Sequence, residues 1–280
     1  MAFDLNNFVI DRIVRGVALS QKDDSVLFSI NQIQNASLNC ASESADAVDA
    51  LGTPIATFYR AKSAEFSAEN ALFDMNLMAT QLGTKKRVGG TEDENKNIIK
   101  ITVPAMETFT VTSDGKYDLK HTPKVAPSEI YALNGDSTFG VKYPKATNVS
   151  ATEFTVTDSK IINVQVEVKD ESGEVTTPGI PVGTEMFVMY EYESENAIEV
   201  VNSATQFPVG CKFVMEVLGC DVCDQTNLIY AYLVFPNFKL SPDFDWSIAT
   251  DGTHPFSGKA QQDYCDKQKL LFNVIIPGDE

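Results

Sequence analysis

Long runs in which apolar and polar residues alternate constrain the fold of this chain more than any other feature. The pattern is clear in three segments: Ile162–Val168, Thr184–Glu193 and Cys211–Val217. In the last of these, Phe213 falls on the side opposite Lys212. A period of two places successive side chains on opposite faces of a β-strand. We therefore predict a mainly β protein with half-buried strands.

Two continuous apolar runs predict strands that are covered on both faces. Leu228–Phe235 is followed by Pro236, and Leu270–Ile276 is followed by Pro277. Because proline cannot donate to a strand ladder, we expect both strands to end there. An interface with another chain is one way to cover the second face.

One segment changes to a helical period. After an extended run Ile55–Phe66, Ser67 is a suitable N-cap residue, and apolar residues recur at steps of three and four from Leu72 onward until Gly83. This pattern predicts a strand, a flanking helix and a glycine stop. A weaker pattern predicts a second, surface helix over Ala260–Lys267.

The composition changes in the middle of the chain. Residues 104–181 are rich in Thr, Ser, Val and Lys, and turn signals such as Ser113-Asp-Gly115 separate short alternating runs. We predict a core formed by residues 1–103 and 182–280, with a small all-β module inserted at 104–181. The glycine-hinged charged run Thr84–Asn97 predicts a solvated mobile loop between helix and module.

Size and charge exclude several classes of protein. The 280 residues are 43% hydrophobic, which is typical of a folded domain, and 22 Lys+Arg against 39 Asp+Glu give a net charge of −17. Tight binding to DNA or RNA is not expected because the basic surface it needs is missing. We also predict no membrane span, no targeting segment and, from five sparse cysteines, a chain made in the cytoplasm.

Excess acid is concentrated near the end of the predicted strand Thr184–Glu193. The residues concerned are Glu185, Glu191, Glu193, Glu195 and Glu199. Such crowding costs self-repulsion unless water or basic neighbours oppose it. A solvated acidic face and a functional acidic surface both explain the pattern.

Cysteine spacing raises one metal hypothesis. Cys220 and Cys223 have the CxxC spacing of half a tetrahedral zinc site, with Cys211, Cys265 and His254 as further candidate ligands. A second close pair is missing, so structural thiols are the favoured interpretation. We predict no bound metal and no cofactor.

The sequence carries no catalytic signature. Its two histidines are His121 and His254, the second in a turn-like phrase, and no GxSxG or phosphate-binding glycine motif occurs. Asp243 and Asp245 would point to one side of a strand, where a polar strand face explains them. We predict that the chain is not an enzyme.

Several C-terminal phrases carry a family resemblance. Tyr190–Glu193, Val234–Pro242, Asp251–Phe256 and Ala260–Tyr264, together with the strand and helix unit Phe58–Gly83, resemble bacteriophage major tail tube proteins. The resemblance covers residues 50–83 and 181–280.

This resemblance implies a two-sheet β-sandwich or barrel with a flanking α-helix, whose subunits form stacked rings. The resulting tail tube of the virion would be a conduit for DNA, which passes without specific binding. Its partners would be further copies and other tail proteins. The glutamate cluster would face the lumen, and an inter-ring loop would include Lys85, Lys86, Arg87, Glu92, Asp93 and Glu94. The inserted module would project outward.

Two other functions fit the composition. One is another virion component, a head decoration or tail completion protein. The other is a carbohydrate-binding β-sandwich module, for which Tyr117, Tyr131, Tyr143 and Trp246 are candidate platforms, although aromatic residues on strands usually belong to a core.

Overall fold

The computed structural model describes residues 7–262 and 269–278. In chain order, its strands are β1 (Phe8–Ser20), β2 (Val26–Ile30), β3 (Ile33–Val48), β4 (Pro54–Asn70), β5 (Arg87–Val88), β6 (Ile101–Thr110), β7 (Lys116–Asp118), β8 (Glu129–Leu133), β9 (Phe139–Pro144), β10 (Phe154–Thr157), β11 (Ile161–Val164), β12 (Val168–Lys169), β13 (Val175–Thr177), β14 (Glu185–Ser194), β15 (Ile198–Glu199), β16 (Gly210–Asp221), β17 (Asp224–Leu240), β18 (His254–Ala260) and β19 (Asn273–Ile275). Helix α1 (Met75–Gln81) lies between β4 and β5. The predicted mainly β class is confirmed.

The chain divides into two compact units. The first contains residues 1–86 and 200–280, and the second contains residues 87–199. These boundaries differ from the sequence-based boundaries of 103/104 and 181/182, because β6 and β14 pair with each other along their whole length and belong to the second unit. A shift in composition marks turns, whereas strand pairing decides which residues fold together.

The first unit is built on one large antiparallel sheet. Its strand order is β2-β1-β16-β17-β18-β4-β3, with β19 added to β17. Strands β1 and β3 contact each other, so the sheet curls. Within the described residues no ladder joins β2 to β3, and the sheet therefore stays open instead of closing into a barrel.

A cluster of phenylalanines fills the concave side of this sheet. Its members come from five strands and are at most 2% exposed: Phe28, Phe66, Phe213, Phe235, Phe238 and Phe256. Neighbouring ring centroids lie 5.2 to 6.4 Å apart, the usual range for packed aromatic pairs. The strand β16 alternation that the sequence predicts is confirmed, since Cys211, Phe213, Met215 and Val217 are all buried.

The helix forms, but seven residues later than its predicted cap. Ser67 lies inside β4, where it pairs with Ser257 of β18, so long-range pairing overrides the local capping signal. The helix is instead capped by Asp74, whose carboxylate accepts hydrogen bonds from the backbone of Asn76 and Leu77. The predicted stop at Gly83 is confirmed, with a left-handed φ of +68° that glycine tolerates.

The structure also differs from the predicted strand end at Pro236, and it describes only part of the predicted C-terminal elements. Strand β17 continues through Pro236 to Leu240, because the register between β16 and β17 shifts at this point and a bulge accommodates a residue that cannot donate. Only Asn273–Ile275 of the predicted C-terminal strand is extended in a ladder. The predicted helix Ala260–Lys267 falls largely outside the described residues, and Ala260 ends β18.

The second unit is a β-sandwich. A four-stranded sheet of order β6-β14-β8-β9 and a three-stranded sheet of order β10-β11-β7 share one buried core. Ile130, Met186 and Val188 come from the larger sheet, and Phe154 and Ile162 come from the smaller sheet. The alternation that predicts strand β14 is therefore confirmed.

A buried carboxylate organises one side of this sandwich. Glu107 is 4% exposed and accepts hydrogen bonds from the hydroxyls of Tyr117, at 2.8 Å, and Tyr190, and from the backbone N–H of Lys120. The Tyr190 oxygen in turn accepts from the N–H of His121. Burial and the bond to Glu107 raise the pKa of Tyr117 to about 12, so both donors stay protonated.

We predict that Glu107→Leu lowers the free energy of unfolding by about 2–4 kcal/mol, because two hydroxyls and one amide lose their acceptor inside the core. Tyr117→Phe, which removes one donor, should cost about 1 kcal/mol. Urea unfolding followed by circular dichroism measures both. A cost for Glu107→Leu no larger than that of the exposed neighbour variant Thr108→Ala would contradict this role.

Candidate functional site

A long two-stranded projection is the most exposed feature of the first unit. We call residues 39–63, the outer part of the β3–β4 hairpin, the arm. Strand β18 pairs with β4 only as far as Glu65, and every arm residue is exposed except the half-buried Ala45. Within the described residues both edges of the arm lack a partner strand, so they present unpaired N–H and C=O groups.

The two faces of the arm differ in chemistry. Cross-strand pairing places Phe58 opposite Ala45, and Ala47 opposite Ala56, so one face is apolar. The other face carries Tyr59 and a hydrogen bond of 2.7 Å from Thr57 to Asp46. Tyr59 is 73% exposed, and the arm also exposes the apolar side chains of Val48, Leu51 and Ile55. Phe58 is 59% exposed, which is a large exposure for an aromatic ring.

A second exposed edge lies at the other end of the large sheet. Strand β2 pairs with β1 only at residues 16–19, which leaves residues 8–15 of β1 with a free edge in the described structure. This part of β1 forms a three-stranded ribbon with residues 216–221 of β16 and 224–231 of β17. We call it the ribbon.

An apolar groove opens on the first unit between the ribbon and the base of the arm. Its volume is about 370 Å³, and its floor includes Phe66, Met215 and Val217, which are buried. Its rim includes Ile10 and Val274, each 62% exposed. We call it the groove.

The structure places all five glutamates of the acidic cluster in the second unit. Glu185, Glu191 and Glu193 share the outer face of β14 with Phe187 and Met189, whereas the buried face carries Met186 and Val188. Their role in a lumen stays a prediction.

Basic neighbours oppose three of these glutamates. The ion pairs are Lys124–Glu193 at 3.6 Å, Lys100–Glu195 at 3.7 Å and Arg87–Glu199 at 2.5 Å. The first two border an open cleft, in which His121 stacks on Tyr192 with ring centroids 3.9 Å apart. Exposed pairs of this kind stabilise little, but they reduce the repulsion that the sequence suggested.

The predicted inter-ring loop is divided between the units. Lys85 and Lys86 belong to the first unit, whereas Arg87 begins β5 in the second. Glu92, Asp93 and Glu94 are exposed in a turn. The Asp93 carboxylate accepts backbone hydrogen bonds from Asn97 and Asn95, both 2.8 Å, which lower its pKa. The segment therefore contains a hydrogen-bonded turn and a short strand.

The cysteines that the structure describes do not come together to form a metal site. Cys211 and Cys220 lie nine positions apart on β16, roughly 30 Å at the rise of a strand, so they cannot bind one ion. Cys211 is buried, which raises the pKa of its thiol to about 12, and Cys223 is exposed. Cys265 lies outside the described residues. Among the described residues no group of three or more His, Cys, Asp or Glu could hold a metal ion.

The candidate carboxylate pair does not lie on a strand, and the aromatic residues considered for carbohydrate binding pack against other side chains. Asp243 and Asp245 are exposed in an irregular segment, and the prediction that they share a strand face is wrong. Tyr117 stacks on the core residue Phe109, and Tyr143 packs against the same core. Tyr131 donates to Glu129, and Trp246 stacks on Phe73 at 4.5 Å. The three tyrosines belong to the second unit and Trp246 belongs to the first.

His254 is a structural anchor in the first unit. It begins β18, correcting the turn-like interpretation, and it is 1% exposed. Its Nδ1 accepts from the backbone N–H of Asp74 at 3.4 Å, so its Nε2 carries the proton and donates to the side-chain oxygen of Gln81 at 2.8 Å. Burial lowers its pKa, and the charge of Asp74 opposes that shift in part. The neutral imidazole thus joins both ends of α1 to the sheet.

Sequence patterning missed the arm, the groove and an apolar outer face of the four-stranded sheet. The last includes Met106, Phe139, Phe187 and Met189. A signal for the arm does exist in the sequence, since alanine and serine replace large apolar residues through most of β3.

The comparisons identify one family. A family model described as the YomU/Tube protein family matches residues 8–269. No curated protein matches the chain. In the described residues, no helix has both the length and the apolar character needed to cross a membrane.

We predict that the folded chain loses stability as the pH falls below about 6.5, the ordinary pKa of histidine. Because the folded-state pKa of His254 is lowered, the unfolded chain binds more protons in the window between the two values. Thermal unfolding between pH 7.5 and 5.5 measures the effect, and His254→Gln should reduce the pH dependence. An equal reduction by His121→Gln, at an exposed position, would contradict it.

Proposed function

The chain belongs to the YomU/Tube protein family, a phage-derived family of tube-like proteins, and from this premise we propose that it is a structural subunit that assembles into stacked rings. These rings form a phage tail tube through which genome DNA passes. The observation that carries the proposal is the match over residues 8–269, which spans both units. We also propose that the chain acts without catalysis, as a virion component.

The free edges of the large sheet support assembly. Strand β3 presents sixteen residues at one end of the sheet, and residues 8–15 of β1 present a free edge at the other end. Exposed edges of this length are prone to pair with another chain. Pairing β3 of one copy with β1 of the next is a head-to-tail contact, and such contacts form rings when the rotation closes.

The net charge supports a controlled form of this assembly. At −17, subunits repel each other at low ionic strength, and salt shortens the range of the repulsion to about 10 Å at 0.1 M. The same sign of charge repels DNA phosphates, which favours passage of the genome over binding.

We predict that the purified chain forms uniform rings or hollow tubes, and that their number increases between low and high salt because repulsion is screened. Negative-stain electron microscopy of both samples tests this prediction. Closed trimers or other discrete oligomers that do not stack would contradict it and would favour a head decoration protein. Monomers at every salt concentration would contradict unaided assembly.

A second prediction concerns the acidic cluster, which we propose lines the lumen. Glu185 and Glu191 are the two members without an ion pair among the described residues. Glu185→Gln with Glu191→Gln should leave ring formation unchanged but slow DNA ejection, since less charge would repel the phosphates. Electron microscopy and an ejection assay on assembled virions measure the two effects.

The matched control neutralises two exposed glutamates in a turn of the same unit, Glu171→Gln with Glu174→Gln. If both double variants ejected DNA at the same rate as the parent chain, the cluster would have no role in DNA passage.

A further inference from the structure

Beyond its base the arm has little support within the described residues. Residues 40–42 and 62–64 border a small pocket with Leu271 and Phe272, whereas residues 43–61 lie outside the phenylalanine core and are almost all exposed. An isolated two-stranded ribbon is at best marginally stable in water, because it has no third strand and no covered face. The arm therefore needs a surface to pack against.

The apolar face of the arm has the shape of a single projecting side chain on a flat base. Phe58 stands among Ala45, Ala47 and Ala56, whose methyl groups allow a partner to approach the backbone closely. This face buries little until something covers Phe58, since that ring is 59% exposed.

The groove offers a matching apolar site. An apolar cavity of roughly 150 Å³ is enough to hold a benzene ring, so a groove of about 370 Å³ has room for Phe58 and a second apolar side chain. Ile10 on its rim is 62% exposed and would be covered by the same contact.

We propose that Phe58 on the arm of one copy inserts into the groove of a second copy. This inference deepens the proposed function and rests on it, because it names a contact through which subunits assemble. Arm and groove are different surfaces of the same unit, so the contact is head-to-tail and repeats from copy to copy.

Two free strand edges favour a second copy as the occupant. Residues 8–15 of β1 border the groove and have an open edge in the described structure, and the outer edge of β3 on the arm has no partner strand there. Charge does not select the occupant, because Glu43, Asp46 and Asp49 on the arm outnumber Arg60 and Lys62. An arm from a neighbouring copy brings backbone groups that can pair with such an edge. A free lipid or a small apolar ligand would leave the edge unpaired.

The test compares two variants with two matched controls in the full chain. Phe58→Ser removes the inserted ring, and Ile10→Glu places a charge on the rim of the groove. Their controls are Tyr59→Ser and Val9→Glu, adjacent positions whose side chains point to the opposite strand face. All four positions are exposed, so we expect circular dichroism spectra and melting temperatures like those of the parent.

Sedimentation at rising protein concentration should show association at least tenfold weaker for Phe58→Ser and Ile10→Glu, and near-parental association for the controls. Mixing the two weakened variants is the sharper measurement, because the first keeps an intact groove and the second keeps an intact arm. The mixture should form 1:1 dimers that grow no further.

The failure of this inference differs from the failure of the proposed function. If the parent assembles into rings or tubes and both variants assemble equally well, the arm–groove contact is wrong and the proposed function stands. If the controls weaken assembly as much as the variants, or if the mixture forms no dimers, the contact is also wrong. A parent that stays monomeric at low and high salt would contradict unaided assembly and, with it, the arm–groove contact.

Discussion

Burial of six phenylalanines on one side of the large sheet is the interaction on which the first unit depends. Rings from β2, β4, β16, β17 and β18 meet there, and helix α1 adds Leu77 to the same core. Fully burying a side chain of this kind contributes roughly 1.5–3 kcal/mol. Because the rings lie where β18 bridges β17 to β4, they hold only the base of the long strands. Within the described residues, the outer parts of β3 and β4 extend beyond this core.

This uneven cover connects the fold to its proposed role. Strands usually end near the edge of the core they cover, because an exposed strand edge can pair with other chains. Here β3 and β4 continue past Ala64 with many alanine, serine and other polar side chains, among which Ile55, Phe58 and Tyr59 are exposed. The two strands pair with each other, and within the described residues the outer edges of this hairpin have no partner. Such strands suit a subunit whose remaining contacts come from identical neighbours, and they suit a monomer poorly.

Much of the fold follows from the period of the sequence, and most of the candidate site does not. Alternation reveals β14 and β16 because their apolar faces lie in a core that the strands themselves build. The predictions that a helix is capped at Ser67 and that a strand ends at Pro236 are wrong for one reason. Pairing with β18 keeps Ser67 in β4, and pairing with β16 continues β17 past Pro236, and both partner strands are distant in the sequence. The unit boundary at 86/87 is hidden in the same way by the β6–β14 ladder. The arm has no regular alternation of large apolar residues that a sequence pattern could detect. The groove is lined by residues of six strands, which come together only when the chain folds.

A subunit with the proposed role must stay monomeric before it assembles, and the surface of the first unit is compatible with both requirements. The proposed contact uses one apolar ring, Phe58 on the alanine face of the arm, and one inserted ring covers less than the several hundred Å² that mark a surface prone to association. A single contact of this size is weak, and the net charge of −17 opposes it at long range. In a closed ring of the proposed kind every subunit would make the contact twice, once with its arm and once with its groove. Contacts that are weak in a pair and repeated around a ring favour complete rings over small aggregates, because only closure satisfies every arm and every groove.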